Sequence, residues 1–436
     1  MIKAGSRGKN RIRRLLALAL CLALALCALP VQAKGVKAVY SRQTLVFNGK
    51  EQPLDAYNID GYNYFRLRDI AALMQGTIFR FSLDTDKAQK TVLAHRFRAG
   101  ADTVSETGAD RSATAQESVW RLYVDGEPVR CAVYNIGGNN YFRLRDLSDA
   151  LGFSVGYDAA GKRVLVYAET LTGSDAQEEA CFAALETLYV KKDQEKGLAA
   201  LEAAAQDGGA RAACELAHAY YYGQFGLKVD YAKAFSFALA ASKGSNTRGL
   251  YLYALLLWNG QGAEQDKNAA AACFERAAAQ GSVSAQSFLC AQYFGGELGR
   301  DYARACAWAK AAADFDDPRA CYIYGQCLYF GYGTAQDAAK ALRYFRTAGE
   351  GGVVEAIHAL GVCYYSGKGT SYNPYIALYC FEQAAAQGYA PSAYNAGLLY
   401  AEGVGTEKDP AKAAQYMRAA AAGGVKEAEA WLAKNT

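Results

Sequence analysis

Residues Val354–Tyr389, VEAIHALGVCYYSGKGTSYNPYIALYCFEQAAAQGY, are followed by a second version of the same pattern, APSAYNAGLLYAEGVGTEKDPAKAAQYMRAAAAGGV (Ala390–Val425), and each version is 36 residues long. Each reads as a helix, a Gly-x-Gly loop, a capped second helix and a glycine that ends it. A fixed period of this size is typical of a solenoid built from helix pairs. This repetition therefore predicts a helical solenoid for the C-terminal half of the chain.

The period extends upstream when it is counted from the residue expected to cap each second helix. Asp and Asn are favoured at this position because the side-chain oxygen accepts a backbone N–H that the helix leaves unpaired. Successive caps are 36, 35, 36, 36 and 36 residues apart, at Asp230, Asp266, Asp301, Asp337, Asn373 and Asp409. We therefore predict six full repeats.

Two alanine positions accompany every cap. Because they lie seven residues apart, they share one face of the helix, and the pattern predicts a close contact between helices. A larger side chain there would cost roughly 1–3 kcal/mol through overpacking. The alanines are Ala234, Ala270, Ala305, Ala341, Ala377 and Ala413, then Ala241, Ala277, Ala312, Ala348, Ala384 and Ala420.

Two glycines mark each loop inside a repeat. The first is predicted to end the first helix, since glycine suits the left-handed conformation that follows a helix; these are Gly223, Gly260, Gly295 or Gly296, Gly331, Gly367 and Gly403. The second glycines are Gly226, Gly262, Gly299, Gly333, Gly369 and Gly405. A phosphate-binding loop would follow a strand, whereas these loops join helices, so we predict turns.

The helical array is predicted to span residues 176–436. Gln177–Val190 and a helix capped by Asp193 form a degenerate opening pair. Lys426–Lys434 forms a final helix that covers the open end. Terminal elements of a solenoid commonly depart from the repeat pattern in this way.

The run LGVCYYSGKG (Leu360–Gly369), with Asn373, Ala377, Phe381 and Gly388 after it, closely resembles the Sel-1-like repeat (SLR), a relative of the tetratricopeptide repeat. The resemblance implies a right-handed superhelix of helix pairs that acts as a protein-binding scaffold. It also implies a protein that is not an enzyme, as a rule.

The N-terminal half contains a different duplication. YNIDGYNYFRLRDIAALM (Tyr57–Met74) recurs as YNIGGNNYFRLRDLSDAL (Tyr134–Leu151) at an offset of 77 residues, and the same offset carries Asn48-Gly49 onto Asp125-Gly126. These dipeptides between apolar runs predict tight hairpins. We therefore predict an α+β domain of two strand-rich repeats at residues 36–169.

Each N-terminal repeat is also predicted to contain one short helix, which begins near Leu67 or Leu144. Asp69 and Asp146 then lie in the first turn, where an acidic side chain favours the helix dipole, and we interpret the neighbouring arginines as their structural partners. A polar linker is predicted at about residues 98–117.

The helix entry YFRLRD followed by a strand pair that ends in KRVLVY resembles the copper amine oxidase N-terminal (stalk) domain of many exported Firmicute proteins. The resemblance implies an accessory or cell-surface element. It does not imply the oxidase, because that needs three copper-binding His, and His95 is the only His of this half.

Residues 1–33 have the pattern of a signal peptide. Six cationic residues precede a Leu/Ala run, and Val31-Gln32-Ala33 fits a small-residue cleavage site. We predict cleavage after Ala33 and a secreted or cell-surface protein without a membrane span. Without those cations the chain has 47 − 6 = 41 basic and 43 acidic residues, which argues against a nucleic-acid partner.

One column of aromatic residues is the candidate binding site. Five of six first helices carry an aromatic residue two positions before the terminal glycine: Tyr221, Trp258, Phe294, Tyr329 and Tyr365. Tyr and Trp are frequent on recognition surfaces, but such rings also pack between repeats. Both interpretations stay open.

The leading hypothesis is a non-enzymatic scaffold that binds a protein or peptide. The alternatives are a cell-wall glycan or peptidoglycan binder and, less favoured, a cell-wall hydrolase. We predict no catalytic residue, no metal site and no cofactor, and we interpret His358 beside Glu355 as a solvated neighbour. Ten Cys follow the leader; Cys363–Cys380 and Cys273–Cys290 could form disulfides or remain core thiols.

Overall fold

The computed structural model describes residues 36–435 apart from several short gaps. The gaps are 41–43, 49, 53, 61, 76, 78, 87, 101–112, 119, 126, 130, 138, 152, 159–162, 168–174 and 244–245. The predicted signal peptide, its cleavage site and most of the predicted linker therefore lie outside the described residues.

The N-terminal half consists of fourteen described strands and two helices, seven strands and one helix from each repeat. The helices are α1 (Leu67–Met74) and α2 (Leu144–Leu151), which begin where the sequence predicts. The strands are β1 (Val36–Tyr40), β2 (Thr44–Phe47), β3 (Lys50–Gln52), β4 (Ala56–Ile59), β5 (Tyr62–Arg66), β6 (Phe81–Asp86), β7 (Thr91–Arg96), β8 (Ala113–Glu117), β9 (Arg121–Val124), β10 (Glu127–Val129), β11 (Val133–Ile136), β12 (Asn139–Arg143), β13 (Ser154–Asp158) and β14 (Arg163–Tyr167).

The two N-terminal repeats exchange strands. Three strands from each close a barrel in the order β1-β4-β5-β12-β11-β8. Two further sheets, β10-β9-β7-β6 and β13-β14-β2-β3, each join the closing hairpin of one repeat to the opening hairpin of the other. The joining pairs, β7 with β9 and β14 with β2, are parallel. The half is therefore one interlocked domain.

Tyrosine side chains fill the barrel. Tyr57 lies edge-to-face on Tyr141 with ring centroids 5.1 Å apart, and Tyr64 lies in the same way on Tyr134 at 5.2 Å. Both contacts join one repeat to the other, and edge-to-face pairs of this kind are favourable because the positive ring edge meets the negative face. Burial raises the pKa of Tyr64 and Tyr141 to about 12.

The predicted linker is wrong at its C-terminal end, where residues 113–117 form strand β8. The segment contains only small and polar residues, so it lacks the apolar alternation expected of a strand. Ala115 is fully buried inside the barrel, where the tyrosine rings leave room only for a small side chain. The small side chains of this segment therefore fit a strand whose inner side faces the tyrosine-filled barrel.

The predicted partners of the helix-entry acids are confirmed. Arg66 donates from Nε to Asp69 at 2.7 Å, and Arg143 donates from Nε to Asp146 at 2.7 Å. Both carboxylates are buried, and a buried charge needs such a partner. These residues hold the strand-to-helix turn of each repeat in place.

Fifteen described helices form the C-terminal half, and α3 continues into one π-helical turn at Glu186–Val190. None of the helices described in the chain combines the length and apolarity needed to cross a membrane. They are α3 (Asp175–Leu185), α4 (Gln194–Gln206), α5 (Ala210–Tyr222), α6 (Tyr231–Ser242), α7 (Thr247–Asn259), α8 (Lys267–Ala279), α9 (Val283–Gly295), α10 (Tyr302–Ala313), α11 (Pro318–Phe330), α12 (Ala338–Glu350), α13 (Val354–Ser366), α14 (Pro374–Ala386), α15 (Ala390–Glu402), α16 (Pro410–Ala422) and α17 (Lys426–Asn435).

The periodic features predicted for the array are confirmed. All six cap side chains accept the backbone N–H three residues on, at 2.9–3.1 Å. All twelve periodic alanines are fully buried. The first-helix glycines adopt positive φ, and in the third repeat this residue is Gly296. The opening pair and the closing helix are also present, with Asp193 capping α4.

The second glycine of each loop brings successive repeats together. A Cβ added at Gly262, Gly333, Gly369 or Gly405 would lie 2.1–2.4 Å from a backbone carbonyl oxygen at the start of the preceding repeat's second helix. Only glycine, which has no Cβ, allows that approach. The positive φ at these positions is a second reason for glycine. The loops are therefore packing joints as well as turns.

Candidate functional site

The structure places the five residues of the aromatic column in different environments. Trp258 is buried, whereas Tyr221, Phe294 and Tyr329 are half-buried and Tyr365 is exposed. No two of them are in ring contact in the described chain. The column is therefore a set of separate aromatic positions along the edge where the Gly-x-Gly loops lie.

Additional aromatic residues surround part of this column. Phe294 contacts Tyr332 at 6.2 Å between centroids, Tyr332 stacks on Phe330 at 5.3 Å, and Phe330 contacts Tyr329 at 4.9 Å. The Lys368 ammonium lies 4.0 Å from the Tyr329 ring centroid, a cation–π distance. Sequence counting missed Phe330 and Tyr332 because they have no counterpart in most repeats.

A cavity beside the column lies between α13 and α15, next to Tyr365. We call it the repeat-five pocket. It holds about 270 Å³, and apolar side chains dominate its walls. Its lining residues are Val362, Tyr365, Ser366, Phe381, Asn395, Leu398, Leu399 and Glu402.

Three polar side chains also line this pocket. Ser366 donates its hydroxyl to the Val362 carbonyl oxygen at 2.7 Å, so that hydroxyl serves the helix. Asn395 is half-buried and Glu402 exposed, and neither has an ion-pair or hydrogen-bond partner in the described chain. An amide can bind a peptide backbone, and a carboxylate can bind a cation. The pocket thus combines an apolar interior with two free polar groups.

The six helix pairs match a known repeat family. The model of the Sel1 repeat family matches residues 210–246, 247–282, 283–314, 318–353, 354–389 and 390–425. These boundaries coincide with the helix pairs α5–α6 through α15–α16, and the fifth and sixth coincide with the two stretches that define the period.

The helical half is a Sel1-repeat solenoid.

One solved structure agrees with this fold. A protective antigen present in uropathogenic Escherichia coli strains, c5321, displays an SLR fold; it is 25% identical with a TM-score of 0.52 and covers 60% of this chain and 56% of its own. A Sel1 repeat protein from Oxalobacter formigenes is 24% identical with a TM-score of 0.48, over 55% of this chain and 96% of its own. This chain therefore spans little more than half of the E. coli antigen. No curated protein matches the sequence.

Sel1 repeats are generally non-catalytic interaction modules, and the surroundings of His358 agree with such a role. The interpretation of His358 as a solvated neighbour is wrong, because its Nδ1 lies 2.8 Å from the Ser392 hydroxyl of the next repeat. Ser392 is fully buried, so its hydroxyl is closed to a substrate. The pair is a hydrogen bond between two Sel1 repeats.

The cysteines of the Sel1 array are thiols in the structure, as are all ten described cysteines. The two candidate pairs, Cys363–Cys380 and Cys273–Cys290, are therefore unbonded. Burial raises the pKa of Cys363 and Cys380 to about 11. Thiols with raised pKa are poor nucleophiles, so these residues act as core side chains.

The N-terminal domain is docked onto the first part of the Sel1 array, which sequence reasoning left open. Arg80 makes a two-pronged ion pair with Glu179 of α3, and Arg98 pairs with Glu186 at 2.6 Å. Further along the array, Arg145 pairs with Asp316. The contacts extend from the opening helices to the loop before α11.

A pocket of about 190 Å³ lies at this joint and contains four arginines and Glu215. Every arginine already has a carboxylate partner, so the pocket has no free positive charge. Only the Arg80–Glu179 pair joins the N-terminal domain to the helical array, and each of the other three pairs lies within one side of the joint. The pairs are Arg80 with Glu179, Arg96 with Asp125, Arg211 with Glu178 and Arg248 with Glu215.

His218 lies beside the Arg248–Glu215 pair and titrates abnormally. Burial and Arg248 lower its pKa from 6.5 to about 4, and its Nε2 is buried without a partner in the described chain. Burial raises the pKa of Glu215, but the neighbouring cations outweigh this effect and hold that pKa below its usual range. Both groups therefore favour the folded state above mildly acidic pH.

We expect the stability of the protein to fall on acidification because of His218. The unfolded chain binds a proton at this residue near pH 6.5, whereas the folded chain binds it only near pH 4. The contribution of His218 to the free energy of unfolding should therefore be constant above about pH 6.5 and decrease by about 3 kcal/mol as pH falls to about 4. Urea unfolding at pH 7 and pH 5 would measure the first part of this loss.

The His218→Phe variant should lose most of this difference, because a phenyl ring can occupy the same site and does not titrate. The Leu216→Met variant, a buried change on the same helix that adds and removes no titrating group, is the matched control and should keep the wild-type slope. An unchanged slope in His218→Phe would show that other groups cause the acid sensitivity.

Proposed function

We propose that this chain is an exported, non-enzymatic scaffold whose Sel1 repeats bind a peptide segment of a partner protein in the repeat-five pocket. The observation that carries the proposal is the pocket itself. It is an apolar cavity beside an exposed tyrosine, in a repeat family typical of interaction scaffolds. Few concave sites with convergent polar groups occur per protein.

The chemistry of the pocket indicates what the segment contains. The walls provided by Val362, Leu398 and Phe381 favour an apolar side chain of Leu or Met size. Asn395 can bind the adjacent backbone amide, and Glu402 favours a Lys or Arg near it. Tyr365 can cover the inserted side chain at low entropic cost, since its ring has few rotatable bonds.

Selection from a random peptide library displayed on phage would test this proposal. We expect enriched peptides to share an apolar residue beside a basic one. Synthetic versions should bind the full-length protein in fluorescence anisotropy, and the Leu398→Asp variant should lose at least about tenfold in affinity, or 1.4 kcal/mol, because it introduces a charge into the apolar cavity.

Gln326→Asp is the matched control, since Gln326 occupies the position of Leu398 in the fourth repeat. This variant should bind like the wild type. Equal losses in both variants, or enriched peptides that ignore Leu398→Asp, would place the binding surface elsewhere on the protein.

The proposal includes export and a surface role for the N-terminal domain. Support comes from the leader-like residues 1–33 and from the resemblance to the copper amine oxidase N-terminal domain. The related E. coli protein is a protective antigen, and a surface position would suit such a protein. Fractionation of cells that produce the protein, with N-terminal sequencing of the mature form, would test cleavage after Ala33.

A cell-wall glycan is the second candidate ligand, favoured by the exposed rings of the loop edge such as Tyr365. Sugars stack on exposed aromatic rings, and a solenoid edge can follow a long polymer. Sedimentation with purified sacculi separates the two candidates. Two results together would favour the glycan. The Tyr329→Ala, Tyr365→Ala double variant would no longer pellet with sacculi, and the Leu398→Asp variant would bind peptides as the wild type does.

A further inference from the structure

The outer side of α14 exposes a group of large uncharged side chains, which we call the outer tyrosine face. It consists of Tyr372, Tyr375, Ile376 and Tyr379, with Tyr365 at its edge. The exposed fraction is 58% for Tyr372, 72% for Tyr375, 61% for Tyr379 and 43% for Tyr365. Spacings of three and four residues place Tyr379 on the same side of α14 as Ile376 and Tyr375, and Tyr372 directly precedes the helix cap Asn373.

This face belongs to the fifth repeat alone. At the positions of Tyr375 and Tyr379 the other second helices carry small or polar residues. These are Ala232, Asn268, Ala303, Ala339 and Ala411, then Ser236, Ala272, Ala307, Arg343 and Gln415. Packing within the solenoid therefore does not require aromatic rings there, since five repeats fold without them.

The size of the face is that of a recognition surface. At about 200 Å² per tyrosine, the exposed rings amount to roughly 400–500 Å². Soluble monomers rarely expose larger contiguous patches unless the patch is functional. A typical interface buries about 800 Å² on each partner, so this face could form its centre.

The helices on either side of the face are basic. Arg343 and Arg346 on α12 and Arg418 on α16 are exposed, and none has a carboxylate partner in the described chain. Glu382, the acidic residue of α14, follows Tyr379 by three residues and Tyr375 by seven and so lies on the same side of the helix, where it accepts hydrogen bonds from Tyr400 and Tyr416. The surroundings of the tyrosines therefore offer three guanidinium groups against one carboxylate, and that carboxylate is already hydrogen-bonded to two tyrosine hydroxyls.

This arrangement selects among possible occupants. A second copy docked face to face would bring like-charged arginines together, which opposes a symmetric dimer. A neutral glycan would leave the arginines unused. A protein segment with an apolar or aromatic centre between acidic residues matches both the tyrosines and the arginines. Its centre would pack on the rings and its carboxylates would bind the guanidinium groups, and Tyr and Arg are enriched at protein interfaces.

We propose that the outer tyrosine face is a second interaction surface, which binds an acidic protein segment with an apolar centre. It lies on the opposite side of α14 from the repeat-five pocket and shares only Tyr365 with it. The proposal therefore does not depend on the pocket. Occupation of both surfaces would let one repeat hold two segments.

The test uses the full-length protein and a fluorescein-labelled synthetic peptide with a Trp-Leu-Phe centre between two blocks of glutamate. Companion peptides have lysine or serine in place of glutamate. We expect the glutamate peptide to bind at least about tenfold more tightly than either companion. Its binding should weaken several-fold between about 0.05 and 0.3 M NaCl, because exposed ion pairs are screened by salt.

Two variants and two controls assign this binding to the face. Tyr375→Ala with Tyr379→Ala, and separately Arg343→Glu, should each reduce affinity by at least about tenfold. The matched changes Tyr222→Ala with Tyr231→Ala and Arg300→Glu, on exposed residues of the first and third repeats, should leave it unchanged. Leu398→Asp should also bind the glutamate peptide normally, which separates this surface from the pocket.

Several results would overturn the proposal. These are equal binding of the three peptides, no binding of the glutamate peptide, or losses that are as large in the controls as in the variants. A dimer in sedimentation velocity that the tyrosine changes abolish would assign the face to a second copy. Binding of purified glycan fragments that depends on Tyr375 and not on Arg343 would assign it to a sugar.

Discussion

Replacement of Gly369 by alanine is expected to separate the fourth and fifth Sel1 repeats. The added Cβ would lie 2.3 Å from the Ala338 carbonyl oxygen and 2.5 Å from its carbonyl carbon. Both atoms belong to the backbone at the start of α12, so no side-chain rotation can relieve the clash. The residue also has φ of +82°, which costs an L-amino acid roughly 1–2 kcal/mol.

Gly299→Ala is the matched control for this prediction. Gly299 lies in the corresponding loop of the third repeat with φ of +78°, but nothing lies within 4 Å of its added Cβ. It should lose only the backbone contribution, whereas Gly369→Ala should lose roughly 1–3 kcal/mol more through overpacking. Urea unfolding followed by circular dichroism would compare the two, and hydrogen exchange should show the extra loss at the start of α12.

Equal destabilisation of the two variants would mean that the approach of the fifth loop to α12 contributes nothing to coupling between repeats. In a solenoid, stability is close to a sum of repeat and interface contributions. A loss confined to one interface should therefore also broaden the unfolding transition. A sharp transition in Gly369→Ala would argue against local separation.

The periodic features of the array were readable from sequence because each has a local physical cause. A cap needs an oxygen, as at Asp230; a left-handed turn needs a glycine, as at Gly367; a tight contact needs an alanine, as at Ala341. These requirements recur every 36 residues or so, and counting makes them visible. Repetition therefore predicted the fold.

Features that occur once escaped the same reasoning. The 77-residue offset reveals two N-terminal copies, but a hairpin such as β6–β7 has the same sequence pattern whether it pairs within its own copy or with the other. The pocket depends in part on Asn395, at a position that holds an apolar residue or Glu in the other five repeats. A comparison of repeats column by column finds Tyr375 and Tyr379, since exceptions to a period indicate constraints other than folding.

Replacement of Gly156 by alanine is expected to undock the N-terminal domain from the middle of the helical array. An added Cβ at Gly156 of β13 would lie 1.9 Å from the Asp314 carbonyl oxygen and 2.7 Å from the Phe315 Cα. The Gly156→Ala variant should therefore break the contact with the loop before α11. An overpacking cost of about 1–3 kcal/mol shifts the balance between docked and open forms by about 5- to 150-fold.

Small-angle X-ray scattering should then show a larger radius of gyration and a longer maximum dimension, because the domain would remain attached only through α3 and its π-helical turn. Gly137→Ala is the control, since nothing lies within 4 Å of its added Cβ. Arg145→Glu opens the same contact by repulsion from Asp316 without disturbing β13. Scattering like that of the wild type in both Gly156→Ala and Arg145→Glu would show that the contact near Asp314 does not hold the domain in place. The Arg80–Glu179 and Arg98–Glu186 ion pairs would then be sufficient for docking.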